Sequence, residues 1–140
     1  MGRIMAIDYG RKRCGIAVTD ELQMIATGLD TVPSHMIWEF LDAYLQQERV
    51  DLIVVGKPVR LDNSPSQAQE FTEPFVRKLD QRFPSIPVAR IDELFTSSMA
   101  TRAILESGAR KKDRQRKDLV DKVSATILLQ SYMEMKSYQQ

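Results

Sequence analysis

Asp8 closes a short apolar run and is followed by Gly10, the cations Arg11, Lys12 and Arg13, and a second apolar run. An ionised carboxylate is costly to bury unless it is paired, hydrogen-bonded or bound to a metal. Gly10 has no side chain to crowd whatever approaches Asp8. An acid, bare backbone and three cations together indicate a metal held beside a phosphate. A surface hairpin whose acid only caps a turn explains the same residues equally well.

Two further acids stand at comparable places. Glu93 ends the last predicted strand, and Asp121 lies in the first turn of the last predicted helix. In α/β sheets functional groups gather outside the carboxyl ends of the parallel strands. Three such oxygen ligands suit Mg²⁺ or Mn²⁺, and two ions about 4 Å apart would support phosphodiester cleavage. We therefore expect Asp8, Glu93 and Asp121 to be catalytic and to bind the metal. Considered alone, Asp121 could be an acid that only stabilises the start of its helix through the helix dipole, and Glu93 could be a surface acid after a strand.

The periodicity of apolar residues predicts the elements that must position these acids. We expect three early strands, the third from Leu22 to Val32, and then helices alternating with two more strands. The later elements are a helix after Ser34, a strand over Leu52–Val55, a helix over Ser66–Arg82, a strand over Pro87–Glu93, a helix from Thr96 to Gly108 and a helix from Asp118 to Lys136. This order predicts an α/β fold in one domain, 1–140: a mixed five-stranded sheet of antiparallel hairpins and parallel strands, with helices on both faces.

Two details of this pattern concern helix ends. Ser34 is a suitable N-cap residue for the helix that follows it. Pro74 interrupts the next helix and predicts either a kink or a late start.

Composition narrows the class of protein. A length of 140 residues suits one domain, and a net charge of +1 indicates no particular partner. One cysteine excludes an internal disulfide and fits a reducing compartment, while one histidine and one cysteine make a zinc site hard to build. No apolar run approaches the roughly 20 residues that span a bilayer, and no signal peptide begins the chain. We expect a cytoplasmic protein.

Several motifs together resemble one family, the YqgF-type nucleases of the RNase H-like superfamily, described as pre-16S rRNA nucleases and as Holliday-junction resolvases. The motifs, which extend over nearly the whole chain, are Ala6–Arg11 with Gly15–Ala17, Val55–Pro58, Asp92–Ser97, and Asp121–Ala125 leading to Leu128–Tyr132. The resemblance implies an RNase H-like fold and carries catalytic roles onto Asp8, Glu93 and Asp121. It implies a metal-dependent endonuclease, with Mg²⁺ or Mn²⁺, that processes the 5′ end of pre-16S rRNA.

The resemblance also bears on the basic segment, defined as Arg110 to Lys117, which holds six cations and one acid. Such a run is usually a solvated linker. Placed before the helix that carries Asp121, it could instead hold a nucleic-acid backbone. We expect nucleic-acid contacts from a set of eight cations: Arg11, Lys12, Lys57, Arg60, Lys111, Lys112, Arg114 and Arg116. The implied partners are pre-rRNA or branched DNA, and ribosomal precursor particles.

The chain departs from the family pattern at two places. Leu94 and Phe95 stand where the family has Arg and Leu, which puts a phosphate contact in doubt. The family's Asn-Met-Asp-Gly-Ser loop is Arg60–Ser64 here, with Asn63 at the glycine position. Asn adopts left-handed backbone more readily than most residues, so the loop shape could survive.

The residues by themselves are also compatible with other functions. The chain could resolve Holliday junctions in DNA, or it could bind nucleic acid with vestigial acids and no catalysis. A sugar- or acetate-kinase-like phosphotransferase shares the Asp-x-Gly signature but needs a duplicated fold, for which 140 residues without a repeat leave no room.

Overall fold

The computed structural model describes residues 2–58, 69–92 and 117–138, and within the last range the side chains of 121–136. In chain order the elements are β1 (Arg3–Tyr9), β2 (Arg13–Thr19), β3 (Ala26–Pro33), a 3₁₀ turn (Ser34–Met36), α1 (Ile37–Gln47), β4 (Val50–Lys57), α2 (Gln69–Arg82), β5 (Val88–Asp92) and α3 (Lys117–Tyr138). The helix predicted from Thr96 to Gly108 lies outside the described residues.

The five strands form one mixed sheet in the order β3-β2-β1-β4-β5. Both hairpin pairs, β1 with β2 and β2 with β3, are antiparallel. β4 runs parallel to β1 on one side and to β5 on the other. The predicted mixed five-stranded sheet is therefore confirmed.

Each face of the sheet carries its own apolar cluster. Met5 and Ile7 of β1 pack in a cluster with residues of α1 and α2, among them Leu41 and Leu79. Ile4 and Ala6, which alternate with them, pack with Ala125, Leu128 and Leu129 of α3. Because successive strand residues point to opposite faces, the even-numbered positions of β1 face α3. The prediction of helices on both faces is confirmed.

The third strand starts later than predicted, at Ala26 rather than Leu22. The Asp20 carboxylate accepts hydrogen bonds of 2.8 Å from the backbone N–H groups of Met24 and Ile25, and Gln23 has a φ of 58°. These bonds hold the chain in a turn and lower the pKa of Asp20. The apolar residues Leu22 and Met24 resemble a strand in sequence, but they are exposed in this turn.

The helix ends also differ from the sequence-based expectations. Ser34 makes no N-cap hydrogen bond; its hydroxyl donates to the Gly10 carbonyl at 2.5 Å and so ties the β1–β2 turn to the start of α1. α2 begins at Gln69 and continues through Pro74, so it does not start late at the proline. Burial of Phe75 and Leu79 anchors that helix. Among the described helices, none is long and apolar enough to cross a membrane.

Arg90 links α2 to the ends of β4 and β5. Its guanidinium donates to both carboxylate oxygens of Glu73 at 2.9 Å, and to the carbonyls of Val55 at 3.1 Å and Gly56 at 3.3 Å. The hydrogen bonds from Arg90 lower the pKa of Glu73, while desolvation opposes them. A bidentate pair of this kind fixes geometry as well as charge.

We predict that Glu73→Gln lowers the free energy of unfolding at pH 7 by about 1 kcal/mol, because both partners are partly exposed to water. A lowered folded-state pKa means that the stabilisation is complete above the ordinary glutamate pKa and is lost as pH falls through the folded value. The difference between variant and wild type should therefore shrink in acid. Urea unfolding between pH 7 and pH 3, with Glu70→Gln as control on the same helix, tests this. An equal difference at every pH would contradict it.

Candidate active site

Asp8 occupies the penultimate position of β1 and continues the series of residues that face α3. Ile4 and Ala6 of that series lie in the cluster beneath α3. Across the antiparallel pair, Asp8 is directly opposite Gly15 of β2. Opposite residues in such a pair point to the same face of the sheet. The Asp8 side chain is therefore on the α3 side, at the carboxyl end of β1.

The first turns of α3 lie directly on Gly15. A Cβ atom added to Gly15 would be 2.0 Å from the Asp121 carbonyl oxygen and 2.5 Å from its carbon. Only a residue without a side chain permits that approach of helix to strand. Because Gly15 is the partner of Asp8, this packing places the Asp121 backbone above the strand pair that carries Asp8.

Cys14 is affected by both carboxylates. Burial raises the pKa of its thiol to about 11, and the charges of Asp8 and Asp121 act in the same direction. The cysteine is completely buried and lies 3.5 Å from the Ser34 hydroxyl. The negative charges of Asp8 and Asp121 therefore both disfavour ionisation of this thiol.

We predict that native Cys14 reacts with iodoacetamide at pH 8 about a hundredfold more slowly than in the unfolded chain, because a thiol of high pKa holds little reactive thiolate. The rate in urea at the same pH provides the unfolded reference. Rates within threefold of each other would show that the native thiol is neither buried nor protonated.

Arg13 holds Asp121 by an ion pair. Its Nε donates to Asp121 Oδ2 at 2.9 Å, and the two side chains are 34% and 24% exposed. The sequence pattern marks Arg13 only as one of three cations in the turn, not as a residue of the site. The alternation of β2 is the signal that could have placed it there, because Arg13 is two residues from Gly15 and shares its face.

Three of the eight cations predicted to contact nucleic acid lie in the described part of the chain. Arg11 and Lys12 are exposed in the β1–β2 turn beside Asp8, with the Arg11 guanidinium carbon 5.9 Å from the centre of the Phe71 ring. Lys57 ends β4 and continues the alternation of Ile53 and Val55, which pack on the side of α1 and α2, so it is on the opposite face of the sheet from α3. Glu93 and five of the predicted cations, namely Arg60, Lys111, Lys112, Arg114 and Arg116, lie outside the described residues.

The donor set fits a divalent cation that prefers oxygen. Within residues 2–58, 69–92 and 121–136, no group of three or more metal-ligating side chains is present. Asp8 and Asp121 supply two carboxylates, and Mg²⁺ is commonly bound by one or two carboxylates together with water and substrate phosphates. The two acids that the structure brings together are therefore compatible with the predicted Mg²⁺ or Mn²⁺.

The sequence model of the RuvX protein family, which is described as Holliday junction resolvase, matches residues 2–135 of this chain. The chain belongs to the RuvX family. This family is the RNase H-like one that the sequence motifs resemble, so both the family and the fold class predicted from them are confirmed.

Members of the RuvX family from several bacteria match the chain over almost its whole length. Each of the following is named "Putative pre-16S rRNA nuclease". A protein of Bacteroides thetaiotaomicron is 54% identical over 138 residues, which are 99% of this chain and 100% of that protein. One from Parabacteroides distasonis is 55% identical over 139 residues, 99% of both chains. One from Flavobacterium johnsoniae is 46% identical over 138 residues, 99% of this chain and 100% of the other.

Proposed function

We propose that this protein is a metal-dependent endonuclease that hydrolyses phosphodiester bonds in the processing of the 5′ end of pre-16S rRNA. The observation that carries the proposal is the packing of Asp121 over Gly15, the strand partner of Asp8. Membership of the RuvX family and the names of its members support the same activity. The single cysteine fits a reducing compartment, which supports action in the cytoplasm, on free pre-rRNA or on ribosomal precursor particles.

The residues have separate roles in this proposal. Asp8 and Asp121 would hold Mg²⁺ or Mn²⁺, and Glu93 is proposed as a third ligand. The bound ion would activate a water molecule and stabilise the departing oxygen. Asp8 is held by the pairing of β1 with β2, and Asp121 by the contact of α3 with Gly15 and by Arg13. Carboxylates on rigid elements need little reorganisation when the ion binds.

Cations in the turn after Asp8 and elsewhere in the chain would hold the nucleic acid. Arg11 and Lys12 are exposed in the turn that follows Asp8. We propose phosphate contacts for them, for Lys57 and Arg60, and for four cations of the basic segment, Lys111, Lys112, Arg114 and Arg116. Contacts with phosphates add affinity that falls with salt and carry little sequence information. Selection of the substrate would then depend on its shape or on a partner.

Cleavage assays with labelled substrates test the proposed function. We expect Mn²⁺-dependent cleavage of an RNA that spans the 5′ end of 16S rRNA, and no cleavage in EDTA or with Asp8→Asn. Asp80→Asn, an exposed acid on α2, should retain wild-type activity. A four-way DNA junction belongs in the same panel, because the RuvX family is described as Holliday junction resolvase. Cleavage of the junction alone would favour that second function, and binding without cleavage of any substrate would contradict a nuclease.

The basic segment gives a further prediction. Replacing Lys111, Lys112, Arg114 and Arg116 by Gln should weaken binding of RNA and DNA alike. The slope of log affinity against log salt should fall by up to about 0.7–0.9 for each lost phosphate contact, while Mn²⁺ affinity stays unchanged. Neutralising Arg49 and Lys136, exposed cations distant in sequence from this segment, serves as the control. Unchanged affinity and slope would identify the segment as a solvated linker.

A further inference from the structure

We propose that Arg13 couples nucleic-acid binding to the position of Asp121: its Nε holds the carboxylate while its Nη nitrogens contact a phosphate of the nucleic acid. This role is that of a positioning residue, and it rests on the proposed function. It differs from the role of Arg11 and Lys12, which have no ion pair with an acid of the site among the described residues.

The backbone of Arg13 is fixed on both sides. Arg13 opens β2 and pairs with Pro33 of β3, and the next residue, Cys14, is completely buried. A Cβ atom at Gly10 would be 2.4 Å from the Arg13 carbonyl oxygen, so the turn after Asp8 packs closely against Arg13. The Arg13 side chain therefore extends from the fixed start of β2. Arg13 is two residues before Gly15, the strand residue that contacts α3.

The hydrogen-bond donors of Arg13 are mostly unused by the described part of the chain. A guanidinium has five N–H donors in a planar fork. Only Nε of Arg13 is bonded to a described residue, namely to Asp121, and the side chain is 34% exposed. Arg90, by contrast, uses Nε, Nη1 and Nη2 in bonds to Glu73 and to two carbonyls.

Nη groups that make no bond to a described residue, beside a carboxylate proposed to hold the metal, suit a phosphate. Arginine binds phosphate with paired N–H groups, and its charge persists at every physiological pH. A phosphate held by the Nη groups of Arg13 would lie beside the Asp121 carboxylate, which would hold the ion. Without nucleic acid, the positive charge of Arg13 would oppose binding of a cation, and its Nε–H group donates to one oxygen of the Asp121 carboxylate.

This arrangement predicts opposite effects for one substitution. In Arg13→Ala, Mn²⁺ should bind about fivefold more tightly in the absence of nucleic acid, because a repelling charge and a competing hydrogen bond are removed. The same variant should bind RNA about tenfold more weakly, with a smaller salt slope, because a charged phosphate contact is lost. A purely structural arginine would weaken both kinds of binding.

The experiment measures Mn²⁺ binding by calorimetry without nucleic acid, and RNA binding in EDTA so that no cleavage occurs. Arg13→Lys keeps the charge without the fork, so it should bind Mn²⁺ like wild type and RNA several-fold more weakly. Arg49→Ala, which breaks an exposed ion pair, is the matched control and should change neither affinity. Thermal unfolding of each variant verifies that it is folded.

The outcomes separate this inference from the proposed function. Unchanged RNA affinity in folded Arg13→Ala, or weaker binding of both Mn²⁺ and RNA, would overturn the role of Arg13 while the nuclease assays of wild type stand. Failure of the wild type to bind Mn²⁺ or cleave any substrate would overturn the proposed function. In that case the RNA affinities in EDTA still determine whether Arg13 contacts phosphate.

Discussion

Asp8→Asn is expected to lower the cleavage rate by about a thousandfold, which corresponds to the loss of roughly 4 kcal/mol of transition-state stabilisation. Asparagine has nearly the shape of aspartate, so the pairing of β1 with β2 should persist. The amide carries no charge and is a poor ligand for a hard divalent cation. Activity should therefore be lost without loss of the fold.

Thermal unfolding with and without Mn²⁺ separates the catalytic from the structural role of Asp8. In wild type, Mn²⁺ at a hundred times its Kd should stabilise the protein by about 2.7 kcal/mol, because only the folded state has the site. Asp8→Asn should show almost none of this gain. Without metal it should be at least as stable as wild type, because one of two neighbouring carboxylates has lost its charge. A variant less stable than wild type in EDTA would indicate that Asp8 is structural.

Gly15→Ala is the second substitution from which we expect a large effect. The new Cβ would lie 2.0 Å from a backbone carbonyl oxygen of α3, and backbone cannot move aside as a side chain can. Either α3 shifts away from β2 or the strand distorts. We expect a loss of about 3 kcal/mol in the free energy of unfolding. Because Asp121 lies at the point of contact, cleavage and Mn²⁺ binding should be lost together with stability.

Gly28→Ala is the matched control for Gly15→Ala. Gly28 lies in the neighbouring strand β3, and a Cβ atom there would be 2.7 Å from Cγ of Lys122, on the same helix. A lysine side chain can rotate, so the expected cost is about 1 kcal/mol and Mn²⁺ binding should be retained. Urea unfolding and calorimetry on both variants measure this difference. Equal stability of Gly15→Ala and wild type would contradict the close contact between α3 and β2.

The sheet and its helices were predictable from sequence because the apolar patterns and the fold agree. Within the run Leu52–Val55, the residues Ile53, Val54 and Val55 are buried in a strand that is parallel to both β1 and β5, as an uninterrupted apolar run predicts. Ser124, Ala125 and Leu128 share the buried face of α3, which their spacing predicts. The apolar pattern predicts too early a start for β3. The turn around Gln23 is held by hydrogen bonds to the Asp20 carboxylate, which an apolar pattern does not reveal.

The site was predictable in part. Their positions at element ends predict that Asp8 and Asp121 lie near each other, and the structure places the Asp121 backbone on Gly15, the strand partner of Asp8. Two contacts that position Asp121 join distant parts of the chain. Gly15 appears in sequence as an ordinary strand glycine, and its packing against Asp121 follows only from the position of α3. Arg13 and Asp121 are separated by 108 residues, and no local rule pairs them.

The location of the bound ion tests the central claim most directly. Crystals of the wild-type protein soaked in Mn²⁺ and measured by anomalous diffraction would show where the metal binds. We predict a peak at roughly 2.1 Å from a carboxylate oxygen of both Asp8 and Asp121, and no such peak in Asp8→Asn crystals soaked in the same way. An Mn²⁺ ion coordinated away from these two carboxylates, with cleavage activity retained in the soaked form, would contradict the assignment of the active site.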